Sequence, residues 1–228
     1  MKERISCFDI DGTLSKRTLF LPLVKSEYES GLLAEASFAK IHELLADYTA
    51  GKLAYENTVE TLLQTHAEGL RGQNHQQLKA HAEHFLTTHE SGLFHSFGRK
   101  VIQLLKAEHR VLAVTAEPQH IAESVTELYS LHGHLSSTYR EHQGAYTGEV
   151  ESSLAHRSAK LAALQHYEIE HAFGDSEGDI DILANAKHQY CINPSEALAT
   201  IAQKRGWQIF DGNDTVAIIQ AVKEALKH

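Results

Sequence analysis

Cys7-Phe8-Asp9-Ile10-Asp11-Gly12-Thr13 decides how this chain is read. Ile5, Cys7 and their apolar neighbours suit a buried strand, and Gly12 punctuates its end. Alternation along such a strand sends Asp9 and Asp11 to one side, about 6–7 Å apart at a rise of roughly 3.3 Å per residue. Two carboxylates at the carboxyl end of a buried strand repel each other and are costly to desolvate unless something neutralises them. A hard divalent cation does so through a few oxygens. Gly12 permits a tight turn, and Thr13 can hydrogen-bond back into it. An ordinary Asp-Gly turn fits these seven residues equally well, so the partners have to come from the rest of the chain.

Downstream, apolar residues recur at helical spacing: Phe38, Ile41, Leu44, Leu45 and Tyr48 before Gly51, then Val59, Leu62, Leu63 and Leu70 before Gly72. A third helix is expected around Gln76 to Thr88, and no strand pattern interrupts Leu14 to about Ser96. From there strands and helices alternate. A helix over Gly98–Glu108 leads into the apolar run Arg110–Thr115, and Pro118 marks a helix start. Leu135–Glu141 and Ala145–Val150 read as an antiparallel pair about Gln143-Gly144. A helix from near Ala155 carries Lys160. A short strand then ends in Gly174-Asp175-Ser176-Glu177-Gly178-Asp179, where Asp175 and Asp179 can meet across a first helical turn. Strands at Gln189–Ile192 and Trp207–Phe210 and helices from Ser195 and through Val216, Ile219, Val222 and Leu226 complete the pattern. Its fold class is α/β: a doubly wound, Rossmann-like parallel sheet with an inserted α-helical cap, the site lying at the strand carboxyl ends. The expected boundaries are 1–15 and 96–228 for the core and 16–95 for the cap.

Composition narrows the function classes. With 228 residues, 42% of them hydrophobic and 22% charged, the chain has the makings of a soluble globular protein. A net charge of −9 argues against nucleic-acid and anionic-membrane partners, which want a basic face. Cys7 and Cys191 read as buried thiols. The lack of a leader or a long apolar run points to a cytoplasmic enzyme. Seventeen histidines raise the question of a metal site, but only His81/His84 and His132/His134 are close pairs, so surface histidines are the expectation. Oligomeric state is left open.

Taken in order, Asp9-Ile10-Asp11-Gly12-Thr13, Thr115, Lys160 and Gly174 to Asp179 resemble the four motifs of the haloacid dehalogenase-like phosphatase superfamily. The helical insert, Gly144-Ala145-Tyr146-Thr147-Gly148 and the tail Asn193-Pro194 … Gly206-Trp207 resemble its phosphoserine-phosphatase-like subclass. The resemblance implies a phosphatase acting on a small phosphorylated metabolite. Asp9 would be the nucleophile and Asp11 the general acid and base, with a pKa above that of Asp9. Mg²⁺ would be held by Asp9, Asp175 and the backbone carbonyl of Asp11, with Asp179 as an outer-shell residue. Thr115 and Lys160 would bind the phosphoryl group. A phosphotransferase or mutase using the same aspartyl-phosphate is the alternative; a binding module that merely kept the fold is a third. Two departures bear on substrate. Thr18 stands where phosphoserine-specific members carry an acid, and Glu117 follows the second motif where small residues are usual. Glu117 either faces away from the pocket or selects a cationic group. Lys16, Arg17 and Arg71 are the cap cations expected to contact substrate.

Overall fold

The computed structural model describes residues 2–227. Seven strands form one sheet in the order β4-β3-β2-β1-β5-β6-β7: β1 (Glu3–Phe8), β2 (Arg110–Pro118), β3 (Gly133–His142), β4 (Ala145–Ser152), β5 (Tyr167–Gly174), β6 (His188–Ile192) and β7 (Gln208–Phe210). All neighbours are parallel except the β3–β4 hairpin. β1 lies at the centre because its run Ile5–Phe8 is buried throughout, and parallel strands need apolar residues on both faces. Phe8, Phe173 and Tyr190 occupy paired positions on β1, β5 and β6, and their rings stack at centroid distances of 4.1 and 4.3 Å. That ladder fixes the register of the strands whose ends carry the site.

Helices cover both faces. On one, α5 (Gly98–Leu105), α6 (Gln119–Leu128) and α10 (Thr215–Ala225) bury Val101, Ile102, Ile121, Val125, Ile218 and Val222 against Phe8 and Phe173. On the other, α8 (Ile180–Asn185) and α9 (Glu196–Arg205), with α7 (Arg157–Ala163) beside them, bury Ile182, Leu183 and Leu198 against Ile5 and Cys7. Cys7 and Cys191 are buried free thiols, as expected.

Four helices occupy the segment between β1 and α5: α1 (Phe20–Glu29), α2 (Glu35–Thr49), α3 (Tyr55–Gly69) and α4 (His75–Leu93). The sequence periodicity finds α2, α3 and α4 but does not single out α1. The helices share a second core of Val24, Ile41, Leu63, Leu70 and Leu78 with Tyr139 and Tyr146 of the hairpin. Their attachment is also polar. Glu27 on α1, fully buried, accepts from Nε2 of His66 on α3 (2.6 Å) and from Nε2 of His120 on α6 (3.1 Å). Nδ1 of His66 meets the Tyr139 hydroxyl at 3.0 Å, and Nδ1 of His120 meets that of Tyr146 at 3.3 Å. Burial opposes ionisation of Glu27, but the charge of His66 and the bonds from both imidazoles pull its pKa down to about 2. The expectation of surface histidines therefore fails here: His66, His95, His109, His120 and His171 are all buried. Burial was not legible because their partners lie far away in sequence. Neither His81/His84 nor His132/His134 belongs to a converging set of three ligand-type side chains among the described residues. Among those residues, no helix is long and apolar enough to cross a membrane.

Candidate active site

β1 ends at Phe8, one residue before the first acid. Asp9 keeps extended dihedrals and its amide donates to the Phe173 carbonyl (2.9 Å), but Ile10–Leu14 then coil into a tight turn. Asp9 and Asp11 line the same cavity, as expected, but not through a continuing strand: the turn begins at Ile10, and Asp11 keeps extended dihedrals within it. Gly12 makes that turn possible: its φ is +73°, and a Cβ there would lie 2.1 Å from Oδ2 of Asp175. The glycine lets the end of β5 bring Asp175 against the first loop.

Lys160 on α7 reaches the same point. It is 5% exposed, and its ammonium donates to Oδ1 of Asp9 (2.8 Å) and Oδ1 of Asp179 (2.9 Å). Burial would depress its pKa, yet the charges of Asp179 and Asp9 hold it well above the ordinary lysine value. Oδ2 of Asp179 accepts the amides of Asp175 (3.1 Å) and Ser176 (3.2 Å). With both oxygens engaged, Asp179 orients Lys160 and the β5–α8 loop. Thr115 is buried where the β2–β3 ladder lapses between Val114 and Pro118; its Oγ1 accepts the Glu117 amide (3.1 Å), leaving its own hydrogen for a ligand. β2 itself runs on to Pro118, past the expected end at Thr115.

The acids are poorly solvated. Burial first, and then the charge of Asp179, pushes Asp9 up to about 8; burial and the charge of Asp9 push Asp175 up to about 9. Burial also raises Asp11, against the lowering effect of Glu117 beside it and then of hydrogen bonds from the Leu19 amide (2.9 Å) and the Thr18 hydroxyl (3.0 Å). Burial therefore does not separate a nucleophile from an acid here. A cation beside Asp9 and Asp175 would, by restoring their ionised forms. Carboxylate oxygens of Asp9, Asp175 and Asp179 lie within 4.8 Å of one another. This all-oxygen, electron-rich donor set fits a hard divalent ion.

A cavity of about 410 Å³ opens over these groups. Its lining includes Asp9, Asp11, Thr115, Lys160 and Asp175, and also Lys16, Arg17 and Thr18. Arg71 does not line it. That guanidinium packs over the hairpin at Gly148, where a Cβ would come within 2.8 Å of its Cζ. The turn after α3 points Arg71 at the sheet edge, which helical periodicity could not reveal. Glu117 does line the cavity; it is 4% exposed and its carboxyl lies beside that of Asp11. Burial and then the charge of Asp11 raise its pKa well above the carboxylate range. Of the two sequence readings, facing away is excluded. Tyr55, Ser176 and the apolar wall from α1 to α3 were missed. Their signal was present only as helix amphipathicity, which buried core residues share.

A model of the haloacid dehalogenase-like hydrolase family matches residues 7–184. Over 122 residues the chain is 28% identical to a phosphoserine phosphatase of Mycobacterium tuberculosis, a match covering 50% of this chain and 40% of that protein. The chain thus accounts for less than half the length of that curated relative. A solved protein of unknown function from Bordetella pertussis Tohama I superposes with a TM-score of 0.76 at 22% identity, covering 93% of this chain and all of that one (100%). A probable phosphoserine phosphatase from Vibrio cholerae superposes at 0.67 with 18% identity, covering 99% and 67%. At these identities the two structures establish the fold.

Proposed function

The chain belongs to the haloacid dehalogenase-like hydrolase family, and from that premise we propose that it is a Mg²⁺-dependent phosphatase of small phosphomonoesters, working through an aspartyl-phosphate on Asp9. The observation that carries this reading is the buried Lys160 ammonium, bonded to Asp9 and Asp179 at the floor of the cavity, with Asp175 alongside. The M. tuberculosis relative's name, phosphoserine phosphatase, supports the same reaction class.

In the first step an oxygen of Asp9 attacks phosphorus, the bond from phosphorus to the ester oxygen breaks, and Asp11 gives that oxygen its proton. In the second, water attacks phosphorus, its proton passes to Asp11, and inorganic phosphate leaves the Asp9 carboxylate. Thr115 would donate its hydroxyl to a phosphoryl oxygen, and Lys160 would offset phosphoryl charge. Asp9, Asp175 and the Asp11 carbonyl would hold Mg²⁺, which when bound offsets negative charge on the phosphoryl group and on its ligands. The helices of 16–95 would serve as the cap over the leaving group, excluding bulk water. The two buried free thiols fit a cytoplasmic setting.

Phosphate release from a panel of phosphomonoesters, with and without Mg²⁺, tests the reading. The expected result is turnover with Mg²⁺ and hydroxylamine-labile phosphate on the wild-type chain but not on Asp9→Asn. Phosphate passing to an added alcohol in preference to water would favour a phosphotransferase. Failure of every ester to turn over would remove the assignment.

A further inference from the structure

The cavity has two unlike sides. Its floor carries the groups that suit a phosphoryl moiety, whereas the wall from α1, α2 and α3 presents Phe20, Leu21, Leu45, Val59, Leu62 and Leu63. Thr58 on that wall spends its hydroxyl hydrogen on the Ala54 carbonyl, 2.8 Å away. Arg71 lies against the hairpin, and the Lys16 ammonium, at the cavity's edge, donates to the Ser91 carbonyl over 3.0 Å. Thr18, at the position where an acid would hold a substrate ammonium, is bound to Asp11. Tyr48 and Tyr55, their ring centroids 6.4 Å apart, also line the cavity. They are 40% and 39% exposed, and among the large apolar side chains of the described residues only Ile209 and Val216 are as exposed or more so.

Desolvation decides what such a wall accepts. Along the helical wall itself a zwitterionic or polyhydroxylated leaving group would lose water without regaining hydrogen bonds, while hydrocarbon gains by burial; the remaining polar lining, Arg17, Glu117, Ser176 and Asn193, comes from the strand ends and loops of the floor. The volume is also more than a three-carbon leaving group needs: pockets from about 300 Å³ upward enclose drug-sized ligands. Resting on the phosphatase reading, we propose that the substrate is the phosphomonoester of an apolar alcohol. Its phosphate lies on the carboxylate and lysine floor, which Tyr55 flanks beside Gly178 and Lys160, and its hydrocarbon body lies along Leu45, Val59, Leu62 and Leu63 towards Tyr48.

The test is a chain-length series with Mg²⁺ present: n-alkyl phosphates from ethyl to octyl, phenyl and naphthyl phosphates, and phosphoserine. The expected kcat/KM rises roughly two- to fourfold per added methylene until the cavity is filled, with phosphoserine roughly tenfold or more below butyl phosphate. A climb in either the alkyl or the aryl arm supports the proposal, and the steeper arm gives the shape of the body. A flat or falling series in both arms, with turnover intact, overturns it. Calorimetric binding of the matching n-alkylphosphonates reads the same slope without turnover. It therefore decides the proposal even if no ester is hydrolysed, an outcome that would sink the phosphatase reading alone. Val59→Asn, at a half-buried wall position, should flatten the phosphonate slope while thermal unfolding remains cooperative. An unchanged slope in that folded variant would also count against the proposal.

Discussion

Thr18 donates its hydroxyl hydrogen to Oδ2 of Asp11 over 3.0 Å, at the junction between the catalytic loop and α1. With the Leu19 amide on Oδ1, both oxygens of the proposed general acid are held from the chain that enters the helical segment. Residue 18 thus acts on the acid, where an acidic side chain would act on a substrate ammonium.

Thr18→Val should lower kcat about tenfold or more, the scale of a lost hydrogen bond to a charged group. Because that bond lowers the pKa of Asp11, its loss should move the limb of the pH–rate profile governed by Asp11 to higher pH. Thr18→Ser should restore both. A valine variant with the wild-type profile would show that Asp11 is positioned by other groups.

Lys160→Met should reduce kcat/KM by about 10²–10³-fold, as when one donor to a developing oxyanion is removed. It should also cost about 3 kcal/mol of stability, because Asp9 and Asp179 lose their buried counter-charge. Steady-state kinetics and urea unfolding measure the two effects; a solvent-exposed helix lysine would show neither.

Mg²⁺ should raise the unfolding temperature, by the equivalent of about 2.7 kcal/mol at a hundredfold excess over its Kd. Burial, and after it the charge of neighbouring carboxylates, pushes Asp9 to about 8 and Asp175 to about 9, and a cation offsets both. Binding should release protons, and affinity should weaken as pH falls below about 9 and more steeply below about 8. Chelator should reverse the shift and Asp175→Asn should abolish it. Equal Tm values with Mg²⁺ and with EDTA would refute the site.

Glu27→Gln should destabilise the protein by about 1–3 kcal/mol, the cost of upsetting a buried hydrogen-bond network, since Glu27 joins His66 and His120 with no solvent contact. Chemical denaturation measures it. A loss under 1 kcal/mol would show that the imidazoles find other partners.

Acid should destabilise the fold from below pH 6.5. Burial, followed by the charges of His188 and His109, lowers His171 from its ordinary value of 6.5 to about 3. A group depressed in the folded state contributes stability that is complete above 6.5 and is lost as pH falls towards 3. One such histidine gives up to about 1.4 kcal/mol per pH unit. His171→Phe, in the aromatic stack with Tyr190, should flatten the stability-versus-pH slope between pH 6 and 4 measured by denaturant titration. An unaltered slope would assign the acid sensitivity elsewhere.

The sequence by itself determined the sheet-and-helix alternation and most element positions, because strand runs and glycine turns are local properties of a chain, and its resemblance to a known family pointed to Asp9, Thr115, Lys160, Asp175 and Asp179. It could not orient them. Asp11 leaves the strand because the turn begins at Ile10, and Asp179 becomes a brace because its oxygens are taken by Lys160 and two amides. Arg71 and Val59 occupy the same helical region, yet only the packing of α3 over the catalytic loop and hairpin sends one to Gly148 and the other to the cavity. Glu27, His66 and His120 meet across separations of 39 and 93 residues. Periodicity tells which face of a helix is apolar; what that face meets is set by contacts between distant segments, and those exist only once the chain has folded.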